Sequence, residues 1–358
     1  MKNRLLLALV MVLALGVIVV GCGGDEAVTT TEGEKPAEVI TLKYADQNPV
    51  TGWEGSNAAV PWLAQIEEAT DGAVKIEQYF GETLFKGVDT WESLKAGVGD
   101  FAWSFHGYWA GMTPLADVVT LPFMPIKSAE QGSAVLWQLY EEFPSIQSQF
   151  ADNHVLLTWT SSPYYLLTTK KQVKTLADFK GLKIRTIGGP PTKMIEALGA
   201  VPVSMGMPDT YQALQTGVID GMLQNWEALY SFRHYEVGKY MTLVPFHLVY
   251  FTQSFNTAKW NSLPADVQAG IESVSGLKGS KFWGANMFDS AAAAVEGILK
   301  EGGYELTYYT PTDEEVAAWR EQFGEPLWEE WVQKMESEGR TDARAILDRT
   351  LELIEQGM

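Results

Sequence analysis

The chain has 358 residues, of which 45 are acidic and 26 are basic, and its formal net charge is −19 at neutral pH. An acidic chain without a basic patch argues against nucleic acid as a partner. Its single cysteine excludes an internal disulfide, and its four scattered histidines show no zinc-ligand spacing.

The N-terminus has the layout of a secretory signal. Lys2 and Arg4 precede an apolar run over residues 5–20, which is too short and wrongly flanked for a transmembrane helix. The small residues before Cys22 resemble the cleavage box of bacterial lipoproteins, so we expect residues 1–21 to be removed and Cys22 to be lipidated. Polar residues 22–38 predict a flexible tether. We therefore expect a periplasmic or otherwise extracytoplasmic protein that reaches the membrane only through its lipid anchor.

The first part of the mature chain predicts an α/β arrangement. Alternating or apolar segments predict strands over residues 39–45, 74–79, 101–105 and 155–159. Helical spacing over residues 56–70, 90–98 and 129–150 lies between them. This β-α-β rhythm favours parallel strands joined by crossover helices.

A second rhythm begins near Tyr164. Strands are predicted over residues 165–169, 181–185 and 200–204, and helices over 192–198 and 209–216. The dense apolar segment 244–252 predicts one strand that crosses back to the first lobe. Helical spacing over 263–300 would give a helix of about 55 Å at roughly 1.5 Å per residue if it were continuous, although four glycines weaken that continuity or permit a bend. A strand over 304–309 and a helical tail from residue 313 complete the chain.

Arg185 is the residue that points most directly to function. It ends a short apolar strand and is followed by a Gly-Pro turn. An arginine stays charged at any working pH and offers a rigid fork of donors to a carboxylate, and open α/β sheets usually bind ligands at the carboxyl ends of their strands. This spacing fits an anion-binding site and a surface residue at a strand end equally well.

Motifs for bond breaking are missing from the sequence. It contains no nucleophile elbow, phosphate loop or paired-histidine zinc motif, and no cofactor is predicted. A carboxylate acid–base pair stays open because acidic residues are so frequent. The sequence also leaves open whether a metal ion bridges the ligand.

Several tryptophans fall near predicted loops or strand ends rather than within helices. Each of them is either a core residue or a wall of a pocket, and aromatic walls with one fixed arginine would suit an organic acid with an apolar body. The candidates for pocket walls are Trp53, Trp103, Trp109, Trp159 and Trp226.

Three motifs together resemble the solute-binding proteins of TRAP transporters, the DctP family. They are LADFKGLKIRT at 176–186, ALGAVPV at 197–203 and YQALQTGVIDG at 211–221. The resemblance extends over most of the mature chain, from residue 39 to about residue 349.

The resemblance implies a two-lobe fold like that of periplasmic binding proteins, of the type II-like form, with a hinge and one long helix that spans both lobes. Lobe I would comprise residues 39–162 plus about 251–290. Lobe II would comprise residues 163–250 plus about 291–345, with the C-terminal helices. Such proteins close over an organic acid and deliver it to the membrane subunits of a cation-driven transporter, without catalysis.

The resemblance also suggests roles for individual residues. It implies that Arg185 pairs with the ligand carboxylate and that Met207 forms a pocket wall. A polar residue after Asp220-Gly221 commonly reaches the ligand, and the candidates here are Gln224 and Asn225, with Trp226 beside them.

The second lobe departs from the family pattern at its start. Many members that bind strongly anionic ligands have a second basic residue there, whereas this chain has Tyr164 and Tyr165. Since either tyrosine donates a hydrogen bond without charge, we expect a monocarboxylate with an apolar or aromatic body. The alternatives are a binding protein of an ATP-driven importer and a lipid-anchored hydrolase.

Overall fold

A computed structural model describes residues 39–358. The predicted signal peptide, Cys22 and the tether lie outside the described residues. Two β-sheets organise the described chain. Its strands are β1 (Ile40–Ala45), β2 (Val74–Tyr79), β3 (Phe101–Phe105), β4 (Asn153–Thr160), β5 (Tyr164–Thr168), β6 (Lys183–Thr186), β7 (Val201–Ser204), β8 (Gly221–Gln224), β9 (Tyr240–His247), β10 (Tyr250–Asn256) and β11 (Thr307–Tyr309).

Helices cover both sheets. They are α1 (Val60–Ala69), α2 (Thr90–Lys95), α3 (Ala129–Glu142), α4 (Pro144–Gln147), α5 (Gly189–Ala197), α6 (Thr210–Thr216), α7 (Trp226–Ser231), α8 (Thr257–Asn261), α9 (Ala265–Ser273), α10 (Gly276–Trp283), α11 (Ser290–Glu301), α12 (Asp313–Trp319), α13 (Glu325–Ser337) and α14 (Ala343–Glu355). Each sheet with the helices on it forms one lobe, so the α/β two-lobe prediction is confirmed.

Lobe I contains the sheet with strand order β2-β1-β3-β10-β4. Strand β1 is parallel to β2 and β3, as the β-α-β rhythm predicts, whereas β10 enters antiparallel between β3 and β4. Phe101 of β3 stacks on Phe255 of β10 with ring centroids 4.8 Å apart. The returning strand therefore completes the apolar centre of this lobe.

Lobe II contains the sheet with strand order β11-β9-β5-β8-β6-β7. Strand β6, which carries Arg185, lies between β7 and β8 and is parallel to both. The carboxyl end of β6 therefore faces the same way as those of its two neighbours. This edge of the sheet is where the arginine motif was expected to bind a ligand.

The prediction of a single strand over residues 244–252 was wrong. Two strands occupy this part of the chain: β9 pairs with β5 in lobe II, and β10 pairs with β3 and β4 in lobe I. Leu248 and Val249 connect them. A continuous apolar run hides this crossing because Leu248 and Val249 in the connection are themselves buried and apolar.

A long helix spans both lobes, as the resemblance implied. The helical path runs from Gly276 to Glu301 through α10, a π-helical turn (Gly284–Asp289) and α11. Helix α10 packs on α3 and β4 of lobe I, and α11 packs on α7 of lobe II. The path does not extend back to residue 263, because α9 ends at Ser273 and Gly276 adopts a φ of 58°.

The C-terminal helices contact lobe I, and α13 also contacts α5 of lobe II. The indole nitrogens of Trp328 and Trp331 in α13 donate hydrogen bonds to the carbonyl oxygens of Pro122 and Pro114. Helix α14 packs on α3. The residue boundaries of the lobes stay a prediction.

Candidate ligand-binding site

Arg185 is buried where β6 ends. Its side chain is 2% exposed, and its Nε and Nη2 atoms donate hydrogen bonds to the carbonyl oxygen of Met205 at 3.2 and 3.1 Å. Burial lowers the pKa of Arg185, and the neighbouring Tyr108 and Tyr164 partly offset that effect. Within residues 39–358 no carboxylate forms an ion pair with this guanidinium. Arg185 is thus a dehydrated cation held by neutral groups.

Two histidines near Arg185 add no positive charge. Burial lowers the pKa of His234 to about 3 and that of His247 to about 4, and the charge of Arg185 acts in the same direction. Both imidazoles are therefore neutral at physiological pH. The electrostatic character of this end of the site comes from the arginine.

Tyr108 connects the two lobes beside Arg185. Its hydroxyl accepts a hydrogen bond from the backbone N–H of Met207 in lobe II at 3.0 Å. The same hydroxyl donates to Oε1 of Gln47 in lobe I at 3.0 Å. Because these bonds join residues of both lobes, they belong to a closed arrangement of the cleft.

A narrow cavity lies between the lobes. Most of its wall is apolar, with polar groups at a few points. The aromatic and sulfur-containing side chains that line it are Trp103, Phe105, Met207, Phe232, Phe251, Met287 and Phe288, and the polar ones are Gln47, Asn48, Tyr164 and Glu227. Tyr164 also lines a smaller space whose wall includes Arg185, so the two spaces adjoin at this tyrosine.

Three of the predicted site residues line the larger cavity. Trp103 contributes from β3, Tyr164 from β5, and Met207 from the turn after β7. Each is at most 5% exposed. Arg185 lines the adjoining smaller space, so these four residues come from four separate segments of the chain and meet at two neighbouring spaces.

Gln224 and Asn225 are buried in lobe II and do not line this cavity. The Oε1 atom of Gln224 lies 2.5 Å from Nδ1 of His234. Asn225 caps α7, since its Oδ1 accepts from the backbone N–H of Ala228 at 2.9 Å. The side-chain nitrogens of both residues have no hydrogen-bond partner in the described chain.

The other predicted aromatic residues serve packing in this structure. Trp226 packs on Tyr308 in lobe II, and the indole of Trp109 donates to the carbonyl oxygen of Val88 at 2.8 Å. Trp53 bonds across the lobes, because its indole N–H donates to Ser290 Oγ at 2.8 Å and its backbone N–H donates to Ser231 Oγ at 2.9 Å. It therefore stabilises the closed arrangement rather than lining the cavity.

Three buried carboxyl groups form the acidic end of the cleft: Asp46, Glu54 and Glu227. Burial raises the pKa of Asp46 to about 6 and that of Glu227 to about 7, and it raises the pKa of Glu54 well above its ordinary value. Both carboxyl oxygens of Glu54 lack a hydrogen-bond partner in the described chain, and the nearby charge of Asp46 also raises the pKa of Glu54. Of the three, Glu227 is the one that lines the cavity.

Sequence reasoning missed Tyr108, Gln47, Asn48 and Glu227 as site residues. Gln47 and Asn48 lie within three residues of the end of β1, so the strand-end rule that selected Arg185 could also have found them. Tyr108 follows the end of β3 in the same way. No local signal distinguished Glu227 from the other acidic residues.

Residues 39–358 contain no group of three or more histidine, cysteine, aspartate or glutamate side chains arranged to hold a metal ion. In the same residues, no helix is both long and apolar enough to cross a membrane.

Residues 51–334 match the family model DctP, described as bacterial extracellular solute-binding protein, family 7. The chain belongs to this family. A curated relative, the C4-dicarboxylate-binding periplasmic protein DctP of Rhodobacter capsulatus, is 26% identical over 84% of this chain and 89% of its own length.

Solved structures of DctP-family relatives share the fold. A TRAP solute-binding protein from Rhodoferax ferrireducens, in complex with copurified benzoate, superimposes with a TM-score of 0.83 at 27% identity and covers 89% of this chain and 98% of its own. A marine metagenome TRAP protein specific for aromatic acid ligands, in complex with 3-hydroxybenzoate, gives a TM-score of 0.82 at 28% identity over the same shares.

Membership in the DctP family decides between the functional alternatives. The protein is a TRAP-type solute-binding protein and not an enzyme, and the family is extracytoplasmic. Neither the ATP-driven importer nor the lipid-anchored hydrolase is favoured.

Proposed function

We propose that this protein captures a monocarboxylate with an apolar or aromatic body and delivers it to the membrane subunits of a TRAP transporter. The ligand carboxylate pairs with Arg185, and the apolar body fills the cavity between the lobes. The observation that carries the proposal is a buried arginine without an anionic partner beside an aromatic-walled cavity.

A buried cation without a counter-charge is costly, by several kcal/mol in real proteins. A ligand carboxylate would offset that cost through short, charge-assisted hydrogen bonds to the guanidinium. Arg185 already donates to Met205, which fixes the fork in one orientation before a ligand arrives. Preorganisation of this kind raises affinity because less side-chain freedom is lost on binding.

The cavity wall favours one carboxylate over two. Apart from Arg185, the groups around the two adjoining spaces are aromatic, aliphatic or neutral polar, with Glu227 as an acidic exception. A second ligand carboxylate would meet that acid rather than a cation. The aromatic acids bound by the two solved relatives are consistent with this ligand class.

Lobe closure would sequester the ligand. The bonds from Tyr108 to Met207 and from Trp53 to Ser231 and Ser290 join the two lobes around the cavity. Hinge closure of this kind is a common response of binding proteins to their ligands. The closed form is then the species that meets the membrane subunits.

We also propose that Cys22 carries a lipid anchor after removal of residues 1–21. The support is the apolar signal that ends at the single cysteine of the chain. Labelling of the expressed protein with a radioactive fatty acid, compared with a Cys22→Ala variant, tests this. Label that persists in the variant would contradict the proposal.

Isothermal titration calorimetry tests the ligand assignment. Benzoate and phenylacetate should bind to the wild-type protein, with succinate as the diacid comparison. Arg185→Ala should weaken binding by roughly 30-fold or more, since breaking a desolvated charge pair costs about 2–5 kcal/mol. The matched control is Lys183→Ala on the same strand, where the lysine is exposed and binding should be retained. Unchanged affinity in Arg185→Ala would remove Arg185 from the site.

A further inference from the structure

The cavity between the lobes has an acidic side chain in an otherwise neutral wall. Glu227 is 2% exposed and lines the cavity. No cationic group among residues 39–358 acts on its carboxyl group. A buried acid that faces a ligand cavity without a counter-charge needs a hydrogen-bond donor when it is ionised.

The protein holds this carboxyl group in a fixed orientation. Ser231 Oγ donates to Glu227 Oε1 at 2.5 Å, and Ser231 in turn accepts from the backbone N–H of Trp53 at 2.9 Å. The backbone of Glu54 lies close to this carboxyl group and lowers its pKa. A carboxylate has about four acceptor positions, so the bond from Ser231 leaves acceptor capacity for a ligand.

Trp103 provides a donor in the same cavity wall. Its side chain is 2% exposed, and its indole N–H has no hydrogen-bond partner in the described chain. Unpartnered buried N–H groups are rare in proteins and are commonly satisfied by a ligand or an ordered water. The cavity thus combines an acceptor at Glu227 with an unused donor at Trp103.

We propose that the site selects carboxylic acids that carry a hydroxyl group on the apolar body, remote from the carboxylate, with Glu227 as the residue that determines this preference. The hydroxyl donates to Glu227 and accepts from the indole N–H of Trp103. The inference rests on the proposed function, because Arg185 must first bind the carboxylate and orient the ligand.

A hydroxyl fits better than other substituents. It is the smallest group that both donates and accepts a hydrogen bond. A methoxy group cannot donate to Glu227, and an ammonium group cannot accept from Trp103. Sites built to bond a ligand hydroxyl reject the analogue that lacks it, since a buried polar group is then left unpaired.

Calorimetry at pH 8 on the full-length mature protein tests the preference. At this pH Glu227 is ionised, because burial raises its pKa only to about 7. The probes are benzoate, 3- and 4-hydroxybenzoate, 3- and 4-methoxybenzoate and 3-(aminomethyl)benzoate. We expect one hydroxybenzoate to bind at least about tenfold more tightly than benzoate, its methoxy counterpart and the aminomethyl acid, a difference of about 1.4 kcal/mol.

Two isosteric variants separate a role in selection from a role in structure. Glu227→Gln should reduce the preference for the hydroxybenzoate over benzoate by about fivefold or more, because a charge-assisted bond becomes a neutral one. Glu68→Gln changes an exposed glutamate that lies outside the cavity wall, and it should leave the preference unchanged.

The outcomes distinguish the two proposals. If the wild-type protein binds none of the acids, the proposed function fails and the inference fails with it. If it binds benzoate and both hydroxybenzoates equally, or if Glu227→Gln keeps the full preference, the inference alone is overturned. Tightest binding of the aminomethyl acid would overturn the hydroxyl assignment.

Discussion

The buried ionisable groups at the two ends of the cleft differ in whether they can lose their charge. At the basic end, Arg185 stays ionised although it is 2% exposed, since an arginine cannot lose its proton in a protein. At the acidic end, burial raises the pKa of Asp46, Glu54 and Glu227, so these groups can become neutral by binding protons. Arg185 therefore needs a ligand anion to balance its charge. The three carboxyl groups can instead become neutral by binding protons, or their ionised forms can accept hydrogen bonds from donor groups.

Among the variants that follow, the largest effect on ligand affinity is expected from a change of shape at the basic end. Arg185→Lys keeps the charge but loses the planar fork, so benzoate binding should weaken by about tenfold or more. Calorimetry measures it, and folding is checked by circular dichroism. Affinity equal to that of the wild type would show that charge alone is enough and that the fork orientation fixed by Met205 has no role.

The acidic end should make stability depend on pH. The pKa of Glu227 is about 7 in the folded protein and ordinarily 4.5, so the folded state holds a proton that the unfolded state releases. The free energy of unfolding should therefore fall as pH rises from 4.5 to 7 and level off above it. Asp46, with its pKa of about 6, acts in the same direction.

Urea denaturation of the ligand-free protein at pH 5.0 and 7.5 measures this dependence. Glu227→Gln should be more stable than the wild type at pH 7.5, by on the order of 2 kcal/mol, and close to it at pH 5.0. Glu68→Gln, at an exposed position, is the matched control and should follow the wild type. A wild-type protein that gains stability between the two pH values would contradict the expected sign.

Gly188 should limit how closely the lobes approach at the basic end. Its φ is 82°, and an added Cβ would lie 2.8 Å from Cβ of Ala110 in lobe I. Gly188→Ala should therefore lower stability by about 1–3 kcal/mol and also weaken ligand binding several-fold. Gly181 has a φ of 77° but no atom within 4 Å of an added Cβ, so Gly181→Ala should affect stability without affecting affinity. Equal affinities in the two variants would argue against a closing contact at Gly188.

The smallest effect is expected at Tyr108. Tyr108→Phe removes the hydroxyl that bonds Met207 across the cleft and Gln47 within lobe I. The loss of these bonds should weaken ligand binding by roughly three- to tenfold, about 1 kcal/mol. Stopped-flow fluorescence should assign the loss mainly to faster ligand release. A change confined to the association rate constant would show that the Tyr108 hydroxyl acts while the ligand enters the cleft and not in the closed state.

Most strands and helices could be predicted because their signals are local. The alternation in residues 40–45 and the helical spacing in residues 60–69 are set by which face of each element is buried. The position of Arg185 at a strand end was predictable for the same reason. The crossing at Leu248 and Val249 was not, since strand partners lie far away in the sequence.

The sequence by itself determined the family, the two α/β units and one arginine at the carboxyl end of a strand, because these depend on neighbouring residues and on motif spacing. Only the tertiary structure decided which polar groups share the cleft with it. Tyr108 and Glu227 join the site because lobe closure brings together segments about 120 residues apart in the chain, and burial then changes their chemistry. No sequence pattern within a single segment of the chain predicts that these residues lie close together.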